Sequence, residues 1–272
     1  MTELAIGAPP EPLAPGYPLR PGYQVTEHIS RGDDLDVYTV WSAARDCLCV
    51  AKTLRPDRAA DTDAHGRLLS EGRLAEQFTH PHLVRGYETH DGVLPVVILE
   101  TLGGQTLSHL IEHRRHGLRL PDLVELGVQL CSVLGYLHRN GWLHLDLKTS
   151  NIIAEAGRAR LIDLSHLRRP GPCPPGFGTA QYMAPEQLLG AEVTPATDVY
   201  GLGGVLFRMA TRHRPFGRNE RDADPCRPAA LSLLRRRRLP REFTTVIAGC
   251  LEVDPAARPT LPEVADVFDQ LC

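Results

Sequence analysis

Apolar and polar positions change rhythm twice along the chain. Residues 1–22 have no rhythm; six prolines and several glycines break up short apolar stretches, which predicts an extended or flexible tail. From Tyr23 the pattern becomes regular. Val37-Tyr38-Thr39-Val40 and Cys47 to Lys52 predict two strands, joined by the polar turn Ser42 to Asp46. Asp61 to Phe78 starts acidic and carries Leu68, Leu69, Leu74, Ala75 and Phe78 at helical spacing. Strand patterns follow at Leu83 to Glu88 and Leu94 to Leu99, and Gly103-Gly104 interrupts the chain. Beyond that point helices dominate. Pro121 opens one whose apolar positions Leu123, Leu126, Leu130, Val133 and Leu137 step by three and four. A short strand pair, Ile152-Ile153 and Leu161-Ile162, precedes a Gly/Pro-rich loop over Arg168 to Gly178. Helical patterns return at Ala196 to Ala210, Phe243 to Leu251 and Leu261 to Leu271. A strand-rich first third followed by a helical remainder predicts an α+β chain of two lobes.

Composition narrows the class without naming a function. The 272 residues are enough to bury a sizeable core, and 42% hydrophobic with 23% charged residues is ordinary for a globular chain. A net charge of −3 gives no general case for nucleic acid or an anionic membrane as partner. No run of eighteen uncharged apolar residues occurs, so no membrane span is expected. Seven scattered cysteines read as free thiols in a reducing, cytoplasmic setting, with Cys47 and Cys49 as strand positions rather than zinc ligands.

The chemistry is concentrated in His144-Leu145-Asp146-Leu147-Lys148-Thr149-Ser150-Asn151. An aspartate can accept a proton from a hydroxyl. A lysine two residues on can place a positive charge on a phosphoryl group. An asparagine oxygen can bind a hard cation, as can the carboxylate of Asp163 after the apolar Leu161-Ile162. Such a set suits phosphoryl transfer, where positioning and charge neutralisation carry most of the catalysis. The chain holds 30 basic residues, and only Lys52 and Lys148 are lysine. Lysine is a compact point charge and arginine a wide planar fork, so these two positions look selected for a narrow pocket.

These residues resemble the eukaryotic-type protein kinases of the Ser/Thr branch, over about residues 23–272. The resemblance implies a bilobal protein-kinase fold, with a small β-rich lobe over 23–102 and a larger helical lobe over 103–272. By that resemblance Asp146 is the catalytic base, Lys148 contacts the γ-phosphate, and Asn151 and Asp163 bind Mg²⁺ (or Mn²⁺). Cys49-Val50-Ala51-Lys52 stands where the family has its phosphate-holding lysine, and Glu71 is the expected partner of Lys52. The nucleotide, ATP, is expected against Ser30, Gly32, Val37, Val50, Glu100, Leu102 and Ile153. Thr179, in Gly178 to Glu186, faces the substrate and with Lys148 favours Ser/Thr over Tyr. Asp198 resembles the aspartate that braces the catalytic loop, and Arg258 the partner of Glu186.

Three positions depart from the family pattern. The glycine-rich loop reads Ser30-Arg31-Gly32-Asp33-Asp34-Leu35-Asp36-Val37, with only the middle glycine kept. Its three aspartates are expected to repel ATP phosphates. The arginine before the catalytic aspartate is Leu145, and Ser165 follows Asp163-Leu164 where a glycine is usual. Residues 164–178 contain a single hydroxyl, on Ser165, so neither a phosphate receptor nor an obvious phosphosite is present in that loop.

The implied activity is Mg-ATP-dependent phosphorylation of Ser/Thr in protein substrates, with no nucleic-acid partner and no assigned oligomeric state. The alternatives are a pseudokinase or scaffold with weak or no nucleotide binding, which the loop departures favour, and a small-molecule phosphotransferase of related fold. The run Arg235 to Arg238 is either a solvated face or a dock for an acidic partner.

Overall fold

A computed structural model describes residues 10–215, 234 and 237–271. The chain divides into two units, Met1–Thr79 with Val84–Leu102, and His80–Leu83 with Gly103–Cys272.

The first unit is a six-stranded antiparallel sheet with one helix. Its strands are β1 (Pro18–Arg20), β2 (Tyr23–Arg31), β3 (Leu35–Ser42), β4 (Cys47–Leu54), β5 (Gly86–His90) and β6 (Val96–Glu100), in the spatial order β1-β2-β3-β4-β6-β5. Alternation decides which face is buried. Tyr38 and Val40 of β3, Cys49 and Ala51 of β4, and Val96 and Ile98 of β6 pack with Tyr23 and Val25 in one cluster. The expected loose tail is corrected from Pro10 onward. Pro18–Arg20 pairs with β2, the Leu13 N–H donates to Tyr38 Oη (3.0 Å), and Arg31 donates to Pro10 O (2.6 Å). Residues 1–9 lie outside the described residues.

Helix α1 (Thr62–Gln77) starts where Asp61 accepts the N–H groups of Asp63 (3.1 Å) and Ala64 (2.9 Å). Such a cap is worth about 1 kcal/mol. Its buried face includes Leu68, Leu69, Leu74 and Ala75, and also Glu71 and Gly72. Gly72 sets how closely the helix sits on the sheet. A Cβ there would lie 2.2 Å from Thr89 Oγ1 and 2.7 Å from Val97 Cγ2. Gly86 on β5 is equally tight, since its Cβ would meet Ala75 C at 2.6 Å. Gly72→Val should therefore lift α1 away from β5 and β6. Overpacking of this kind costs about 1–3 kcal/mol. The denaturation midpoint should fall, and activity with it, because Glu71 moves with the helix; an unchanged midpoint and unchanged activity would refute the close-approach role.

The second unit is helical. Helix α2 (Leu107–Glu112) was not foreseen from the pattern; it is a short helix capped by Thr106, whose Oγ1 accepts the His109 N–H. Helix α3 (Leu120–Arg139) buries Leu123, Leu126, Leu130, Val133 and Leu137, as its spacing predicts. By length and composition α3 could cross a membrane, yet half of its most apolar stretch is packed inside this unit, as in a core helix. Helix α4 (Pro185–Leu189) and helix α5 (Pro195–Thr211) follow, then the helices Arg241–Cys250 and Leu261–Asp269. Every residue of α5 from Thr197 to Thr211 is buried, so it is the axis around which the unit is built. Three short strands, β7 (Gln105–Thr106), β8 (Ile152–Glu155) and β9 (Arg158–Leu161), form a sheet beside α3, and β10 (Gly171–Pro172) pairs with β11 (Glu192–Val193).

The expected division at 23–102 and 103–272 is corrected at His80–Leu83, which belongs to the second unit. The Leu161 N–H donates to His82 O (2.9 Å), Arg160 donates to Leu83 O (3.0 Å), and His80 Nε2 lies 3.2 Å from Ser132 Oγ.

Candidate active site

In the first unit, strand pairing brings three expected residues to one face of the sheet. Val37 is paired with Lys52, and Val50 lies two residues before Lys52 on the same strand. All three point away from the Tyr38 cluster. Lys52 Nζ donates to Glu71 Oε1 at 2.6 Å, and both side chains are largely buried. The pair needs α1 close to β4, which Gly72 allows. Glu100 uses its carboxylate to accept the Arg85 N–H (2.7 Å), and its own N–H donates to Arg85 O.

The loop of Ser30 to Val37 is a hairpin end, and its charges are arranged differently from expectation. Asp36 is buried and accepts from Arg31 Nε (2.8 Å) and Nη2 (2.8 Å), with His28 Nε2 at 3.1 Å. Burial pushes the Asp36 carboxyl up, but Arg31 and His28 more than offset it and hold the group below the usual carboxylate range. Asp34 accepts from Arg67 (2.9 Å), and Arg55 donates to the carbonyls of Gly32 (3.2 Å) and Asp33 (3.1 Å). Two of the three carboxylates are matched by guanidinium groups, and arginine holds the turn where the family uses glycine.

In the second unit the catalytic loop lies between α3 and β8, and its shape depends on Asp198 of α5. Leu145 adopts φ +61°, a left-handed conformation that costs a residue with a Cβ about 1–3 kcal/mol. The Asp198 carboxylate accepts the N–H groups of His144 (Oδ2, 2.8 Å) and Leu145 (Oδ1, 2.8 Å), with His138 Nε2 at 2.7 Å. Gln187 Nε2 donates to Leu145 O (2.8 Å) from the other side. Burial raises the Asp198 carboxyl, yet the hydrogen bonds and charge of His138 and the His144 N–H outweigh it, so the group is held below its ordinary value. His144 is fully enclosed, and burial pushes its imidazole down, toward the neutral form, against the opposing pull of Asp198 and Asp146. Its Nε2 lies 2.9 Å from Asp163 O, which joins the loop to the segment after β9.

Four expected residues then converge. Thr179 Oγ1 donates to Asp146 Oδ1 at 2.6 Å, and Lys148 Nζ donates to Thr179 Oγ1 at 2.8 Å. Lys148 Nζ also pairs with Asp146 Oδ2 at 2.7 Å. Asn151 Nδ2 donates to Asp146 O (3.1 Å) and Oδ2 (3.2 Å), which turns the amide oxygen outward as a ligand. Asp163 accepts the Ser165 N–H at 3.0 Å. Two oxygen donors of this kind suit a hard divalent ion whose remaining ligands are water and phosphate oxygens. No cluster of three or more His, Cys, Asp and Glu with metal-binding geometry occurs among the described residues. Ile153, on β8, is paired with Arg160 and Thr106 in this unit.

The segment after Asp163 is held by its own side chains. Leu145 packs with Leu143, Cys173 and Val193 in an apolar cluster, with Phe177 against it. Arg169 lies over the Trp142 ring (4.4 Å) and donates to the carbonyls of Asn140 and Gly141. Gln187 donates to Phe177 O (2.7 Å). Further on, Arg258 holds Glu186 through two bonds of 2.7 and 2.9 Å, and Thr197 donates to the same carboxylate (2.8 Å). Removing one partner of such a buried pair costs about 3–5 kcal/mol. Sequence reasoning missed Gln187 and the Cys173–Val193 seat of Leu145, because nothing local to either residue marks a partner across the loop.

The protein kinase domain family matches residues 23–267. The chain is 33% identical over 265 residues to the serine/threonine-protein kinase PknK of Mycobacterium bovis, which covers 90% of this chain and 23% of that protein. It is 34% identical over 195 residues to a serine/threonine-protein kinase, drp72, of Corynebacterium efficiens (65% of this chain, 37% of that protein), and 33% identical over 180 residues to PknB of Mycobacterium leprae (61% and 28%). The chain thus spans less than two-fifths of the length of these curated relatives. The PknI kinase domain of Mycobacterium tuberculosis superposes with a TM-score of 0.77 over 96% of this chain and 99% of that one, at 23% identity, a likeness of fold.

Proposed function

The chain belongs to the protein kinase domain family, and from that premise we propose that it transfers the γ-phosphate of ATP to Ser and Thr hydroxyls of protein substrates. One observation carries the reading. The hydroxyl of Thr179 sits on both Asp146 and Lys148, which is how an attacking alcohol has to be held. Asp146 Oδ1 accepts the proton of the incoming hydroxyl as its oxygen attacks phosphorus. Lys148 places its ammonium beside the charge that builds up on the transferring group. Lys52, oriented by Glu71, holds the α- and β-phosphates, and Val37 and Val50, on the same face of the sheet, meet the apolar part of the nucleotide. Ser30 and Gly32 contribute backbone, as do Glu100 and Leu102.

Asn151 and Asp163 would hold the divalent ion, which we take to be Mg²⁺ with Mn²⁺ as substitute. When bound, such an ion neutralises phosphate charge and fixes the phosphates in line. Relatives named serine/threonine-protein kinases support the substrate class. The free thiols of Cys47, Cys49, Cys131, Cys173 and Cys250 support a reducing, cytoplasmic setting.

The test is incubation of the purified chain with γ-labelled ATP, Mg²⁺ and casein, followed by phosphoamino-acid analysis. Label is expected on Ser and Thr. Label confined to Tyr, or none, would refute the proposal; absence of transfer with ATP binding intact would move the chain to the pseudokinase reading.

A second prediction concerns control. Where many kinases use arginine to bind an activating phosphate, this chain has Leu145 in an apolar cluster with Cys173 and Val193. Arg169 on Trp142 pins the same segment with no phosphate. Treatment with a phosphatase should leave activity within about twofold, as expected when no phosphate-dependent contact is lost. A large drop traced to a phosphosite in residues 164–178 would contradict the apolar seat.

A further inference from the structure

The turn between α2 and α3 contains Arg114, Arg115 and His116, all exposed. It is held against the C-terminal end of α5. The Leu118 N–H donates to Met209 O (2.8 Å), and a Cβ on Gly117 would come within 2.0 Å of Ala210 O, so only glycine allows the approach. Two more arginines reach the same turn. Arg212, in the left-handed conformation that ends α5, donates to Arg115 O (3.2 Å). Arg237 donates to Leu118 O (2.8 Å).

Bonds to carbonyls hold these side chains but leave their charges standing, and Arg237 Nε is buried without a hydrogen-bond partner. Among the described residues, Glu112 is already paired with Arg208 at 3.3 Å and Asp122 with Arg119 at 2.9 Å, with the Arg114 charge also acting on the Asp122 carboxylate, so the remaining arginines outnumber the carboxylates beside them. In a chain of net charge −3 this is a local concentration of positive charge, built from three stretches far apart in sequence. Arg237 and its neighbour Arg238 are the described half of the run Arg235 to Arg238; Arg235 and Arg236 lie outside the described residues.

Leu118, which closes the turn, also lines a cleft with Leu107, Leu110, Leu126, Ala154 and Ala159. The cleft has a volume of about 170 Å³. That is below the roughly 300 Å³ at which sites for whole small molecules begin. It suits a single apolar side chain. Its polar lining is internally matched: Asp122 is paired with Arg119 (2.9 Å), and Glu125 accepts from Gln129 (3.1 Å).

We propose that the basic turn and the adjoining cleft dock a protein segment carrying one large apolar side chain beside a run of acidic residues. The apolar side chain enters the cleft and the carboxylates lie over Arg114 and Arg115. Arginine suits this task, since its fork meets a carboxylate with two parallel bonds. The large apolar side chains that stand exposed among the described residues, such as Trp41 and Leu189, lie in other segments. The turn therefore has no apolar wedge to enter a bilayer and no Phe, Tyr or Trp to stack on a base, which favours a protein over a membrane or a nucleic acid. The docking is separate from phosphotransfer, and its test reads binding alone.

The test is fluorescence anisotropy with a labelled peptide in which one leucine precedes a run of glutamates. Binding should be salt-sensitive and weaken about tenfold or more in an Arg114→Glu/Arg115→Glu variant. Both side chains are exposed, and the variant keeps the backbone carbonyl that Arg212 uses. Leu110→Ser should weaken the leucine peptide and leave an all-glutamate peptide unchanged. Equal affinity in the charge-reversed variant, or no binding to the native chain, overturns the proposal. Tighter binding to a single-stranded oligonucleotide or to phosphatidylserine vesicles, lost in the same variant, overturns it in favour of those partners.

Discussion

Asp146→Asn is expected to abolish phosphoryl transfer while nucleotide binding survives. The carboxylate oxygen that faces Thr179 Oγ1 at 2.6 Å is placed to take a hydroxyl proton there, and an amide cannot take it. Loss of general-base catalysis alone is worth about 10²–10⁴ in rate. The substitution also removes the charge that pairs with Lys148 at 2.7 Å, so the ammonium is no longer fixed beside the attacking oxygen. The two effects act on the same step and should compound. ATP should still bind, because Lys52, Glu71 and Asp163 are untouched and the backbone carbonyl of residue 146 still accepts from Asn151 Nδ2. Steady-state transfer to casein and ATP-dependent thermal shift, measured side by side, separate the two. Transfer near the native rate would remove Asp146 from the role of base, and loss of the thermal shift would mean that the loop itself had collapsed.

Lys52→Arg should be nearly as damaging, although charge is conserved. The Nζ–Oε1 distance of 2.6 Å is that of a point charge on a thin stem meeting one carboxylate oxygen. Glu71 is 2% exposed, and Gly72 seats its helix closely on the sheet, so the space between Lys52 and Glu71 is narrow. A planar guanidinium in this space has to displace α1 or turn away from the phosphates. Removing one pre-positioned electrostatic contact from a phosphoryl-transfer site costs about 10²–10³ in kcat. The measurements are kcat and ATP affinity for Lys52→Arg beside Glu71→Gln. A fully active arginine variant would end both this role and the argument from the scarcity of lysine.

Parts of this arrangement are legible in the chain itself. Asp146, Lys148 and Asn151 fall within eight residues, so one loop has to present them together. Lys52 and Glu71 stand on a strand and a helix whose periodicity is clear. What escaped reading depends on partners that no local pattern marks. Asp36 looks like a phosphate-repelling charge until Arg31 is seen to hold it, and the partner of Asp34 is Arg67, 33 residues away. Pro18–Arg20 has the composition of a tail, and only its pairing with β2 makes it a strand. The six-residue helix α2 is too short to show a period. Gly72 reads as a weak point in a helix, whereas it is the position at which the helix meets the sheet.

Asp198 ties the second unit to the time at which the chain is made. All eight residues of the loop from His144 to Asn151 leave the ribosome long before α5 does. Yet the left-handed turn at Leu145 is held by a carboxylate 53 residues later. Until that residue emerges and α5 is packed, the turn at Leu145 lacks the carboxylate that offsets its strain. The Gln187 bond and the Val193 contact also come from residues made later, so the loop takes its folded shape only once much of the second unit has been made.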